Sequence, residues 1–216
     1  EILIGLVGSE MCIRDRKGVN EYMQGIPLNE RKRLGALLDD RPQAEVMAMI
    51  PQFSQAETDN FVAPPAQIPE ALGVLMFNME RGVNLPEIQE FLRDCPDIQP
   101  FDVILANELD DGCARSGNKN TARELAQAFG LNYAWGLEFI ELVNDENAKG
   151  FHGNAVFSRW PIRRAGVIRL PEQYNWYFDR QKRIGGRLAV FAELDVGGQP
   201  VGAVSIHLEN LSLIHI

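Results

Sequence analysis

Asn78, Glu108 and His207 are the residues of this chain whose types and placement most suggest chemistry. Each stands at the downstream end of a short apolar run, over residues 73–78, 101–108 and 201–207. Runs of this length, rich in Val, Ile and Phe and bounded by Gly and Pro, read as buried strands. Three strands that each deliver a polar side chain at one end predict a site at one rim of a sheet. An amide, a carboxylate and an imidazole suit a hard divalent cation and a phosphate better than a structural zinc site. Singly, each has a plainer reading: a turn-forming asparagine, a loop glutamate, a structural strand histidine. Arg187 follows Gly185 and Gly186 and opens a further strand. Glycines beside a guanidinium let a phosphate come close, and the guanidinium matches phosphate geometry. Arg159, Arg163 and Arg164, and Arg180, Lys182 and Arg183, either flank an anionic substrate or are ordinary surface. Asp110 and Asp111 read as loop charges, and His152, in a glycine-flanked stretch, reads as a loop residue of low functional weight.

The elements that must position these side chains fall into two textures. Residues 17–69 form a helical extension or linker. A short amphipathic helix is predicted over 28–40 and another over 44–50, stopped by Pro51, and a Pro-rich loop leads to the first core strand. Its expected role is packing or tethering. From Gly73 strands and helices alternate. A helix opens at Asn84, which can cap it with Glu87 closing the box, and runs to Asp94. Another spans 118–129, with Gly130 suited to the left-handed cap position. Strands follow over 132–142, 154–158 and 165–170, then an irregular aromatic stretch at 174–178. A hairpin of 187–196 and 199–207 turns at Gly197-Gly198. The early part is strand-helix-strand and the later part strand-rich. That mixture favours an α+β fold of two packed sheets with helices outside over a doubly wound sheet. A nucleotide-binding doubly wound domain is also disfavoured because no Gly-rich loop follows the first strand.

The chain has 216 residues, 30 acidic against 21 basic, and a formal net charge of −9. That balance disfavours a general nucleic-acid binder with a basic face, although a metal-centred site still takes a phosphate because the ion supplies positive charge. The cysteines show neither a disulfide framework nor a zinc motif, and no apolar run approaches transmembrane length. Both ends have an unusual character. Residues 6–16 back-translate in frame to a transposon-based sequencing adapter, with residues 1–5 fitting the primer end before it. Residues 211–216 back-translate to the reverse complement of the same mosaic end. Residues 1–16 and 211–216 are therefore expected to be foreign to the natural protein. Cys12 and His215 then carry no functional weight. The natural termini would lie beyond residues 17 and 210, which leaves the compartment open.

The order of the pieces is more specific than any one of them. Met-Phe-Asn-Met-Glu-Arg-Gly (residues 76–82) precedes Asp-Val-Ile-Leu-Ala-Asn-Glu-Leu-Asp (102–110). Gly-Asn-Ala-Val-Phe-Ser-Arg-Trp-Pro-Ile (153–162), Gly-Arg-Leu-Ala-Val (186–190) and Val-Ser-Ile-His-Leu (204–208) follow. The series resembles the endonuclease/exonuclease/phosphatase superfamily, which includes pancreatic-type deoxyribonuclease, abasic-site endonucleases, bacterial sphingomyelinases and inositol-phosphate 5-phosphatases. Residues 70–210 resemble the N-terminal part of that domain. The resemblance implies a four-layer α/β/β/α sandwich, present in part, and a metal-dependent phosphoesterase using Mg2+ or Mn2+. The implied substrate is a phosphoester: nucleic acid, phospholipid head group or small phosphate. It matches Asn78 to an asparagine contacting metal and phosphate, Glu108 to the metal-binding glutamate, and His207 to the histidine acting at the scissile phosphate. It further matches Glu138 to the glutamate that pairs with that histidine, and Arg187 to a phosphate-contacting arginine. There are two departures. Asn107 stands where the family has Gln, and the family's later Gly-Asp-x-Asn segment and terminal Asp-His pair have no counterpart by residue 210. That absence implies that the chain as given lacks turnover while a longer parent is active. The alternative is a non-catalytic phosphate-binding or scaffold relative of the same fold.

Overall fold

The computed structural model describes residues 14–15, 22–172, 175–179 and 181–208. The expectations for residues 1–13, 16 and 211–216, and for Tyr174 and Arg180, lie outside the described residues. In chain order the elements are β1 (Arg14–Asp15), α1 (Leu28–Ala36), α2 (Gln43–Ala48), β2 (Ala56–Asp59) and β3 (Val74–Arg81). Then come α3 (Leu85–Asp94), β4 (Val103–Asp111), α4 (Thr121–Phe129), β5 (Asn132–Glu141), β6 (Phe151–Ser158) and β7 (Ile162–Arg169). The last are α5 (Trp176–Asp179), β8 (Arg183–Gly185), β9 (Leu188–Val196) and β10 (Gln199–Ile206).

The strands make two sheets. One is ordered β2-β5-β6-β4-β3, with β8 added on β5, and the other β1-β7-β9-β10. Among the described residues only β3 and β4 pair in parallel; the other ladders are antiparallel. Parallel pairing there follows from the chain path, since α3 supplies the crossover that a parallel pair needs. The turn at Gly197-Gly198 closes the β9–β10 hairpin with both glycines at positive φ.

Period-two alternation divides the side chains of the larger sheet between two cores. Ile104, Ala106, Tyr133, Trp135, Ala155 and Phe157 join Leu85, Leu92, Leu125 and Leu34 under the helices. Val103, Ala134 and Val156 face the other way and pack on Leu188, Val190, Ala192 and Leu194 of the smaller sheet. The result is three stacked layers: helices, larger sheet, smaller sheet. The fold class is α+β. Among the described residues no helix layer covers the outer face of the smaller sheet, where Val204 and Ile206 are 38% and 45% exposed.

Residues 22–59 are built into this core. β2 pairs with β5 as an edge strand. The buried Glu57 carboxylate accepts from Met23 N (2.7 Å), Tyr133 Oη (2.5 Å) and Asn120 Nδ2 (2.9 Å). Arg31, also buried, donates to the carbonyls of Lys149 (3.0 Å) and Asn147 (2.6 Å).

Several boundaries differ from the sequence reading. Asn84 occupies the cap position of α3 but its side chain makes no capping bond. The later helix begins at Thr121, because Asn120 accepts from Arg123 N and caps it there; Gly130 ends it at φ 58°. Among the described residues no helix is long and apolar enough to cross a membrane.

Candidate active site

Asn78 and Glu108 were expected to end their strands, but both strands run three residues further. What marks these positions is a break in the ladder. Ile104, Ala106 and Leu109 all face the helical core. Strict alternation would send Glu108 to that side with Ala106 and turn Leu109 away. Instead the β4–β6 register shifts between Ala106 and Leu109, and Glu108 takes φ 60°. The extra residue of this bulge turns Glu108 toward the smaller sheet. The β3–β4 register shifts between Asn78 and Arg81, where Glu80 and Arg81 have φ 46° and 67°. The β5–β6 register shifts between Leu137 and Phe139, and Glu138 lies in that interval. The irregularities share a level, since Leu109 and Leu137 both pair with Gly153. Positive φ outside glycine is uncommon and costs energy, so its concentration along this line points to function.

His207 comes to this line from the smaller sheet, just past β10. Two contacts fix the approach: Ser205 Oγ donates to Ala106 O (3.0 Å), and Asn107 Nδ2 donates to Ile206 O (3.2 Å). Asn107, the departure from the family pattern, thus stitches the two sheets. His207 Nε2 lies 3.6 Å from Glu108 Oε1, and Nδ1 lies 3.5 Å from Glu138 Oε2. Arg187 Nη1 donates to Glu138 Oε1 at 3.0 Å. The same nitrogen stands 2.8 Å from His207 Nδ1 and 3.4 Å from Nε2. A donor along the Nδ1 lone pair would stand roughly 5 Å from Nε2. Arg187 therefore lies over the ring face. Glu138 is fully buried. Burial pushes its carboxyl up, but the His207 imidazole 3.5 Å away and the charges of Arg187 and His152 outweigh it and leave it lowered. Glu138, Glu108, His207 and Arg187 are thus gathered at one rim between the sheets. Asn78 stands beside them, paired in register with Asn107.

The sequence reading placed His152 in a loop and Asp110 among loop charges; the structure corrects both. His152 lies inside β6, and both side chains are buried. His152 Nδ1 is 2.8 Å from Asp110 Oδ1, and its Nε2 is 3.8 Å from Glu138 Oε2. Asp110 also accepts two bonds from Arg115 (2.7 and 2.8 Å), which meets Glu141 at 3.1 Å. Burial pushes the Asp110 carboxyl up, yet the hydrogen bonds from Arg115 and His152 prevail and hold it below the usual range. The missed signal was alternation. Phe151, Ala155 and Phe157 share the helical core, which puts His152 on the same face as Asn154 and Val156.

Among the described residues there is no group of three or more His, Cys, Asp and Glu side chains spaced to hold a metal ion. A cation of the Mg2+ type nevertheless binds through one or two carboxylates and takes its other oxygens from water and substrate phosphate. Glu108, partly exposed at 22%, fits as one such ligand. Asn78 is exposed, with its Oδ1 accepting from Glu80 N at 2.9 Å. The donor set fits an open, substrate-completed site rather than a closed structural one.

No protein-family model matches this chain, and no curated protein matches it. A solved structure that does is an endonuclease/exonuclease/phosphatase family protein from Leptotrichia buccalis C-1013-b, 19% identical, with a TM-score of 0.46. The match covers 65% of this chain and 56% of that one, so the chain spans little over half the length of that protein.

Proposed function

We propose that the rim is the phosphate-facing part of a divalent-metal-dependent phosphoester hydrolase of the endonuclease/exonuclease/phosphatase type. One observation carries the reading: Glu108, bent out of its ladder, faces a histidine whose other nitrogen is backed by a buried carboxylate. Glu108, with Asn78 beside it, would hold Mg2+ or Mn2+, and that cation when bound supplies Lewis-acid charge to a phosphoryl oxygen. The remaining work falls to the chain's own groups. Glu138 holds the proton of His207 on Nδ1 or stabilises the ring when both nitrogens are protonated. His207 Nε2 and the Arg187 guanidinium then offer positive charge to the oxygens of a bound phosphate as it gains charge in the transition state. Glu108 is committed to the cation, and Glu138 lies behind Arg187 and His207. The exposed carboxylate of this line that is committed to neither role is Glu80, in the β3–β4 shift beside Asn78. A second reading is phosphate binding without turnover.

The test has two arms. Mn2+ should broaden the NMR signals of His207 and its neighbours in the wild-type chain, and Glu108→Ala should abolish the effect. Phosphodiester and phosphomonoester substrates should be turned over with Mg2+ or Mn2+ present and not after chelation. Unbroadened His207 signals would defeat the metal assignment. Binding of Mn2+ and phosphate without turnover would select the second reading.

A further inference from the structure

His152 is used by none of the steps above, yet it sits between two buried carboxylates. Asp110 takes its Nδ1 at 2.8 Å, and Glu138 Oε2 stands 3.8 Å from its Nε2. Phe139 stacks on the ring with centroids 6.3 Å apart and planes 20° apart. Arg115 Nη2 lies 3.5 Å from Nδ1. The ring is thus fixed in plane by Asp110 and in tilt by Phe139, and that leaves Nε2 aimed at Glu138. Among the described residues the buried Glu138 Oε2 has no hydrogen-bond partner, while its Oε1 is held by Arg187. A buried carboxylate oxygen without a partner is costly unless a positive or polar group faces it. Two imidazole nitrogens face this one: His152 Nε2 from behind and His207 Nδ1 from the rim.

We propose that His152 is a positioning residue for His207, acting through Glu138: held by Asp110, it presents Nε2 to the Glu138 carboxylate and keeps that carboxylate turned toward His207 Nδ1. The series Asp110, His152, Glu138, His207 alternates acid and base across strands β4, β6, β5 and the end of β10. Its consequence for turnover rests on the phosphoester reading; the positioning of His207 does not.

Two near-isosteric substitutions separate the roles of the two ring nitrogens. The amide nitrogen of asparagine falls near imidazole Nδ1 and that of glutamine near Nε2. His152→Asn retains the bond to Asp110 and gives up the group facing Glu138. His152→Gln does the reverse. The readout is the imidazole 15N chemical shifts of His207 in the labelled chain at one fixed pH, with folding checked by the backbone amide spectrum. The wild-type and His152→Gln chains are expected to show His207 protonated on Nδ1, and His152→Asn to lose that signature. A residue that only fills space or satisfies Asp110 would not produce this difference. Loss of the signature in both variants, or in neither, overturns the proposal. Should one variant fail to fold, the other compared with the wild type still decides: a signature kept by His152→Asn, or lost by His152→Gln, overturns the proposal. Failure of the Mn2+ arm leaves this result untouched, so the two readings fail separately.

Discussion

Asp111 is a carboxylate that the fold holds at a disadvantage, and the size of that disadvantage can be measured. It ends β4, is 3% exposed, and meets Lys149 Nζ at 2.6 Å. Burial pushes its carboxyl up to about 6 from 3.8, with Lys149 opposing and Glu57 and Asp110 adding to the rise. A carboxyl whose pKa is higher folded than unfolded binds its proton more tightly in the native state. The native state is therefore penalised when the group is charged, above about pH 6, and relieved as pH falls toward 4. The difference of about 2.2 units corresponds to about 3 kcal/mol at full charge. Of this, about 2 kcal/mol is recovered between about pH 7.5 and pH 4.5. Asp111→Asn is neutral throughout and leaves Lys149 its bond to Met23 O at 3.0 Å. Urea unfolding of both proteins at the two pH values gives a double difference in which other titrating groups largely cancel. The variant's advantage should shrink by about 2 kcal/mol on going to the lower pH. The reasoning is refuted if the difference between the proteins is independent of pH, or grows as pH falls.

Other expectations follow from single contacts. Arg31→Ala should cost about 2–4 kcal/mol in urea unfolding, because a buried and a part-buried carbonyl lose a charged donor; a change below about 0.5 kcal/mol would show that residues 22–59 are not integral to the domain. Gly153→Ala should cost about 3 kcal/mol or prevent soluble expression, since a Cβ would meet Gly136 O at 2.0 Å and the Trp135 ring at 2.7 Å; a soluble variant of wild-type stability would be the contrary result. Ser205→Ala should cost about 1 kcal/mol by removing the bond to Ala106 O, and should also raise amide exchange near His207; unchanged exchange would mean that the stitch between the sheets does not hold the rim.

How much of this was legible in the sequence differs by level. Short apolar runs located the strands, and Gly130 and Gly197-Gly198 announced a helix end and a hairpin turn, because φ requirements are local. Asn78, Glu108 and His207 stood out because polar residues interrupt apolar runs there. The bulges were not legible. A one-residue insertion in a ladder is defined against the partner strand, so residues 101–111 read alone look like a strand that stops. His152 was misplaced for a related reason. Its flanking glycines suggested a loop, whereas Gly153 is there because Trp135 and the Gly136 carbonyl leave no room for a Cβ. Residues 17–69 read as either packing or a tether, and the choice was not legible because β2 is four residues long and Arg31 looks like any surface cation until its carbonyl partners, more than a hundred residues away, are known.

The line of ladder shifts through Asn78, Glu108 and Glu138 sets stability and chemistry against each other in evolution. Deleting one residue between Ala106 and Leu109 would let β4 and β6 pair without interruption, recover backbone hydrogen bonds and relieve a positive φ. The same deletion would withdraw the Glu108 carboxylate from the rim and leave His207 Nε2 without its facing acid. Selection for thermal tolerance alone should therefore favour shorter, smoother, chemically blank descendants, whereas selection for activity should tolerate almost any core change before it tolerates a loss of length here. Chain length across this short interval, more than the identity of any one side chain, is the trait by which working and lapsed copies of such a protein would be told apart.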